Sequence, residues 1–255
     1  MTAADGSLVV TDLKVEFDGF VAVGGVSFDA HPGEVRFLIG PNGAGKTTCI
    51  DAITGLSKGT GSVKLGDHEL LGRSTQKIVR LGVGRTFQTA SVFEQLSVLQ
   101  NLDIAAGLHR SSWSLLRARR GVDPAIEVAL EETGLSAERD TPAGILSHGQ
   151  KQWLEIGMML VQEPRALLLD EPVAGMSQDE RTATGELLHR IAERRVVLVV
   201  EHDMDFMRRY ASRVTVLHQG KLLSEGSVAQ VQADPKVQEV YLGTAGAVTT
   251  QGEGA

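Results

Sequence analysis

The chain has 255 residues, 42% hydrophobic and 22% charged, an ordinary globular composition with enough apolar content for a large core. Its formal net charge of −7 argues against a surface built for nucleic-acid phosphate. The single cysteine, Cys49, excludes an internal disulfide, and no apolar run approaches the roughly 18 residues that span a bilayer. The opening MTAADGSLVV lacks a basic end followed by an apolar core, so no secretion signal is expected and the chain is expected in the cytoplasm.

Residues 1–7 and 244–255 are small or polar and are expected to form flexible tails around one domain over 8–243. LVVTDLKVEF and VAVGGVSFDA alternate like strands about an Asp18-Gly19 turn, and His31-Pro32-Gly33-Glu34 turns the chain into a strand at Val35–Ile39. Phe17 lies at the edge of this small sheet. Its ring reads equally as core filling or as a flat surface for adenine.

Val35 to Leu56, VRFLIGPNGAGKTTCIDAITGL, is a strand, a glycine-rich loop and a helix, with Gly40, Gly45, Lys46 and Thr47 matching G-x-x-x-x-G-K-[ST] in full. Backbone N–H groups wrap a phosphate only where side chains leave them bare, which Gly43 and Gly45 do. The loop therefore offers Gly40, Pro41, Asn42, Gly43, Ala44, Gly45, Lys46, Thr47 and Thr48 to a nucleotide. Lys46 supplies a point charge, the Thr47 hydroxyl can ligate Mg²⁺, and the helix opening at Lys46 aims its positive end at the phosphates.

GTGSVKLGDHELLG reads as a hairpin and Gln76 to Arg80 as a short helix. Gln88 then begins a loop, either as a solvated residue or as a neutral oxygen ligand for Mg²⁺ or its water. From about 89 to 163 the period becomes helical, over Val98–Leu108, Pro124–Thr133 and Gln150–Val161, which predicts an inserted helical subdomain. Within it the basic run Trp113–Arg120 reads as a solvated helix face, with a partner-binding face as the alternative. Ser147 and Gln150 form a capping box, and Gly149 in the first turn leaves N–H groups open to an anion.

Ala166–Leu169 is an all-apolar strand ending in Asp170-Glu171-Pro172, as expected of a parallel sheet covered on both faces, whose ligands lie beyond the strand ends. The adjacent carboxylates point in different directions: Asp170 can hold the Mg²⁺ shell while Glu171 activates a water. Val196–Val200 ends likewise in Glu201-His202-Asp203; a lone histidine reads as structural, but its place just beyond a strand end favours a role at the γ-phosphate.

GPNGAGKTT, Gln88, LSHGQ at 146–150, ALLLDEP and VEHD, in this order and spacing, resemble the ATP-binding subunits of ABC transporters over nearly the whole chain. The resemblance implies an α/β phosphate-loop NTPase core with an N-terminal antiparallel β-subdomain and an inserted helical subdomain. It implies ATP and Mg²⁺, with Phe17 under adenine, Gln88 in the coupling loop, Glu171 as base and His202 as γ-phosphate switch. It also implies a head-to-tail pair in which one chain's phosphate loop and the other's Ser147, His148, Gly149 and Gln150 hold each ATP. Two positions depart from the family pattern, His148 for a glycine and Ser177 for an Asp or Asn.

LSHGQKQWLEIGMM, LLLDEPVAGMS, VVLVVEHDMDFM and VQEVYLG look closer still to an ATP-binding subunit of urea importers, a group similar to the branched-chain amino acid importers that supply the alternative. Such importers imply two membrane permease subunits, a second ATP-binding subunit and an extracytoplasmic substrate-binding protein, with no nucleic acid and with membrane association through partners. A soluble ABC-type ATPase acting on DNA or ribosomes would carry long coiled coils or two ATPase domains, and this chain has neither.

Overall fold

The computed structural model describes residues 6–86, 91–107 and 122–247. Gln88 and the basic run Trp113–Arg120 lie outside the described residues. Strands β1 (Leu8–Phe17) and β2 (Phe20–Ala30) pair antiparallel through the Asp18-Gly19 turn, and β4 (Thr60–Leu65) with β5 (His68–Glu69) completes a four-stranded sheet of order β2-β1-β4-β5. The chain is anchored earlier than expected, since Ser7 is buried and its carbonyl accepts from the Gly66 N–H.

The second sheet takes β3 (Val35–Ile39), β6 (Val83–Arg85), β7 (Ala166–Asp170), β8 (Val196–Val200), β9 (Arg213–His218) and β10 (Lys221–Gly226) in the order β10-β9-β3-β8-β7-β6. All neighbours are parallel except β9 and β10. Both faces of its central strands are covered: Phe37, Leu167, Leu169, Val197 and Val199 join one apolar cluster, Leu38, Leu168, Leu198 and Val200 the other. This double burial is why these strands read as continuous apolar runs.

Arg36 departs from that pattern, being fully buried within β3. Its guanidinium is held by Thr215 Oγ1 at 3.0 Å, by the carboxylates of Asp29 and Glu225, and over the Phe28 ring. Buried charge persists where it is paired in this way. β6 is a strand the sequence did not announce, because Val83-Gly84-Arg85 is too short to show a period and its place is set by pairing with β7.

The helices are α1 (Lys46–Ile53), α2 (Thr75–Arg80), α3 (Val98–Ala106), α4 (Pro124–Thr133), α5 (His148–Leu160), α6 (Gln178–Ala192), α7 (Met204–Tyr210), α8 (Val228–Ala233) and α9 (Pro235–Ala247). Helices α3, α4 and α5, inserted between β6 and β7, pack together through Leu102, Ile126, Leu130, Leu154 and Ile156. Helix α9 runs to Ala247, so the helical stretch outlasts the boundary expected at Gly243. No helix among the described residues is long and apolar enough to cross a membrane.

Candidate active site

The phosphate loop joins β3 to α1 at the carboxyl end of the parallel sheet. Gly40 and Gly45 are there because nothing larger fits: a Cβ on Gly40 would lie 2.3 Å from the Leu217 carbonyl oxygen, and one on Gly45 2.6 Å from that of Ala22. Gly45 also adopts φ 96°, which L side chains rarely tolerate. The loop is tied down by the Ala44 N–H to the Pro41 carbonyl at 3.1 Å and by the Gly220 N–H to the Ala44 carbonyl at 3.0 Å.

Helix α1 begins without a side-chain cap, so the orphan donors of its first turn remain available to an anion. Lys46 Nζ donates to the Gly40 carbonyl at 2.7 Å and to Pro41 at 3.2 Å, holding the ammonium inside the loop. Burial lowers the Lys46 pKa, opposed by the charges of Glu171 and Asp170. Thr47 is exposed beside it and Thr48 half-buried.

Asp170 ends β7, and its N–H donates to Thr86 Oγ1 at 3.2 Å. Its side chain is almost fully buried, with Oδ2 3.7 Å from the Arg85 guanidinium and Oδ1 without a hydrogen-bond partner. Burial raises the Asp170 pKa, and the Arg85 charge opposes it. An unpartnered buried carboxylate oxygen near the phosphate loop, with the Thr47 hydroxyl, is a hard-oxygen donor set that suits Mg²⁺ bound mainly by phosphate and water. Among the described residues no group of three or more His, Cys, Asp or Glu is placed to hold a metal ion.

Glu171 stands at φ 51°, in the left-handed region, with its N–H on the Val200 carbonyl at 2.9 Å. A non-glycine residue there is strained by about 1–3 kcal/mol, and such strain concentrates at functional turns. Its Oε1 is 3.2 Å from His202 Nδ1, so the ends of β7 and β8 bring these two side chains together. Glu201 positions that turn: its buried carboxylate accepts the N–H of His202 at 3.0 Å and of Asp203 at 3.2 Å. Burial raises its pKa, with those hydrogen bonds opposing. Arg85 carried no sequence motif, its only signal being the neighbourhood of Gln88, and Glu201 stood inside VEHD without a role of its own.

The Ser147–Gln150 turn opens α5 with the expected capping box, Gln150 N–H to Ser147 Oγ at 3.2 Å and Ser147 N–H to Gln150 Oε1 at 3.0 Å. Its donors are not open, however. The Ser147 hydroxyl donates to Glu180 Oε1 at 2.7 Å and the Gly149 N–H to the same oxygen at 3.2 Å. His148 Nε2 lies 3.0 Å from the Ala174 carbonyl oxygen, in the loop after Glu171. Phe17 is 47% exposed, which removes the core-filling reading and leaves its ring accessible at the end of β1.

Residues 23–174 match the family model described as ABC transporter, and residues 221–247 match one described as branched-chain amino acid ATP-binding cassette transporter. The chain is 36% identical to the high-affinity branched-chain amino acid transport ATP-binding protein LivG of Escherichia coli, over 93% of this chain and 98% of that protein. The corresponding protein BraF of Pseudomonas aeruginosa gives the same figures, 36% with 93% and 98%. Among solved structures, the ADP conformation of an ATP-binding cassette of an ABC transporter is similar at a TM-score of 0.81 and 29% identity, covering 94% of this chain and 100% of that one. The chain therefore belongs to the ABC transporter family, as an ATP-hydrolysing subunit with the ABC ATPase fold.

Proposed function

We propose that this chain is the ATPase of a branched-chain amino acid importer. The observation that carries the reading is the match of residues 221–247, beyond the residues 23–174 matched by the general ABC transporter model, to the branched-chain transporter model. The relatives named for branched-chain amino acid transport favour this over the urea reading suggested by LSHGQKQWLEIGMM and VQEVYLG.

In the proposed mechanism ATP lies with its phosphates on Gly40–Thr48, its adenine against Phe17 and its outer phosphates on Lys46. Thr47, Asp170 and Gln88 would hold Mg²⁺, which supplies charge neutralisation on the phosphates when bound. Glu171 takes a proton from the attacking water, and His202, 3.2 Å from its carboxylate, orients it and reaches the γ-phosphate. Ser147, His148, Gly149 and Gln150 complete the site on a second ATP-binding subunit, identical or different. Two permeases and an extracytoplasmic binding protein form the rest of the importer, and the chain sits at the cytoplasmic face of the membrane through them.

In the reconstituted importer, leucine-loaded binding protein should raise ATP hydrolysis and urea-loaded protein should not. Stimulation by urea-loaded protein alone would return the assignment to the urea importers.

A further inference from the structure

The N-termini of α5 and α6 share one carboxylate. Glu180 Oε1 accepts the Ser147 hydroxyl at 2.7 Å and the Gly149 N–H at 3.2 Å. Its Oε2 accepts the Ser177 N–H at 2.9 Å and the Ser177 hydroxyl at 2.9 Å. The hydrogen bond from Ser147, then that from Ser177, hold this carboxyl below the usual glutamate range. The contact is close on the α5 side, since a Cβ on Gly149 would fall 2.6 Å from Glu180 Oε1 and force that carboxylate to shift. His148 Nε2 at the Ala174 carbonyl ties the same two turns a second time.

A serine hydroxyl has one proton and a peptide nitrogen one, so each donor serves one anion at a time. The uncapped start of α1 contrasts with this turn, where an anion from the same chain already occupies the donors. A triphosphate arriving at Ser147 and Gly149 must displace Oε1 or meet it at close range, with like charges opposed. Oε2 stays on Ser177, so the displacement reaches the loop that begins at Glu171.

We propose that the Glu180 carboxylate is an internal competitor for the anion received by the Ser147–Gln150 turn, and that its displacement couples this turn to the loop following Glu171. The proposal rests on the reading that this turn completes the ATP site of a second chain. Glu180 acts through Ser147 and Ser177 and is thus a positioning residue.

The test uses the full chain carrying Glu171→Gln, alone and combined with Glu180→Gln or Glu180→Ala. Light scattering over a Mg-ATP titration gives the midpoint for dimerisation, and a fluorescent ATP analogue at high dilution gives the affinity of the monomer. Loss of the competing charge should lower the dimerisation midpoint on the order of threefold or more in both combinations. Monomer affinity should be unchanged, because the phosphate loop is untouched. A midpoint that is equal or higher in both, with dimers still formed, overturns the proposal and leaves Glu180 as a helix cap. Loss of monomer affinity in both also overturns it, in favour of a structural role. Absence of a dimer in every variant, the Glu171→Gln parent included, instead contradicts the two-chain reading.

Discussion

Replacing Glu171 with glutamine should lower steady-state ATP hydrolysis by about 10²-fold or more while leaving ATP binding intact. The exchange keeps size, and the amide oxygen can still accept from His202 at the 3.2 Å contact. It removes the negative charge that takes a proton from water. The turn at φ 51° is held by the Glu171 N–H on the Val200 carbonyl, so the fold should not depend on the charge. Turnover measured with purified chain or importer decides the matter, alongside nucleotide binding by a fluorescent analogue. Turnover near that of the parent would remove Glu171 from its proposed role and leave His202 without a partner in the chemistry.

Lys46→Ala should have the largest effect on binding. The ammonium now bridges the Gly40 and Pro41 carbonyls at 2.7 and 3.2 Å and is the cation inside the loop. Replacing the lysine removes both the charge offered to the outer phosphates and the brace across the loop. Charge-assisted hydrogen bonds of this kind contribute about 1.5–3 kcal/mol, so ATP affinity should fall roughly ten- to a hundredfold. Titration calorimetry with ATP gives the number. Equal affinity in the variant would mean that the loop binds phosphate through its backbone alone.

The phosphate loop was legible because its constraint is local: a bare backbone, a left-handed glycine and an adjacent helix start all lie within one short stretch. The buried strands β3, β7 and β8 were legible for a related reason, since burial on both faces leaves an apolar run that ends where the ligand groups begin. The helix cap at Ser147 could be read from the S-x-x-Q spacing, and Ser177 with Glu180 forms a second capping box at the start of α6. What Glu180 does beyond capping could not be read, because its second partner lies 33 residues earlier and only the fold brings α5 and α6 together.

Arg36 shows the same limit in the core. An arginine inside a strand reads as an edge or a break, and only the convergence of Asp29, Glu225 and Thr215 from three other strands makes its burial tolerable. The exposed ring of Phe17 could not be separated from a core ring by periodicity, since alternation gives the face of the sheet and not whether another layer covers its end. The solute was the weakest inference from sequence for a physical reason: motifs that hold phosphate are the same whatever the importer carries. The C-terminal match over 221–247 moved that reading from urea to branched-chain amino acids.

On the proposed reading this chain contributes half of each of two ATP sites, an arrangement that a structure of the Glu171→Gln chain with Mg-ATP would display. That structure should hold two chains head to tail, each nucleotide with its phosphates on Gly40–Thr48 of one and on Ser147 and Gly149 of the other. Nucleotide held by the phosphate loop of a single chain, with Ser147 and Gly149 remote from any phosphate under saturating Mg-ATP, would contradict it.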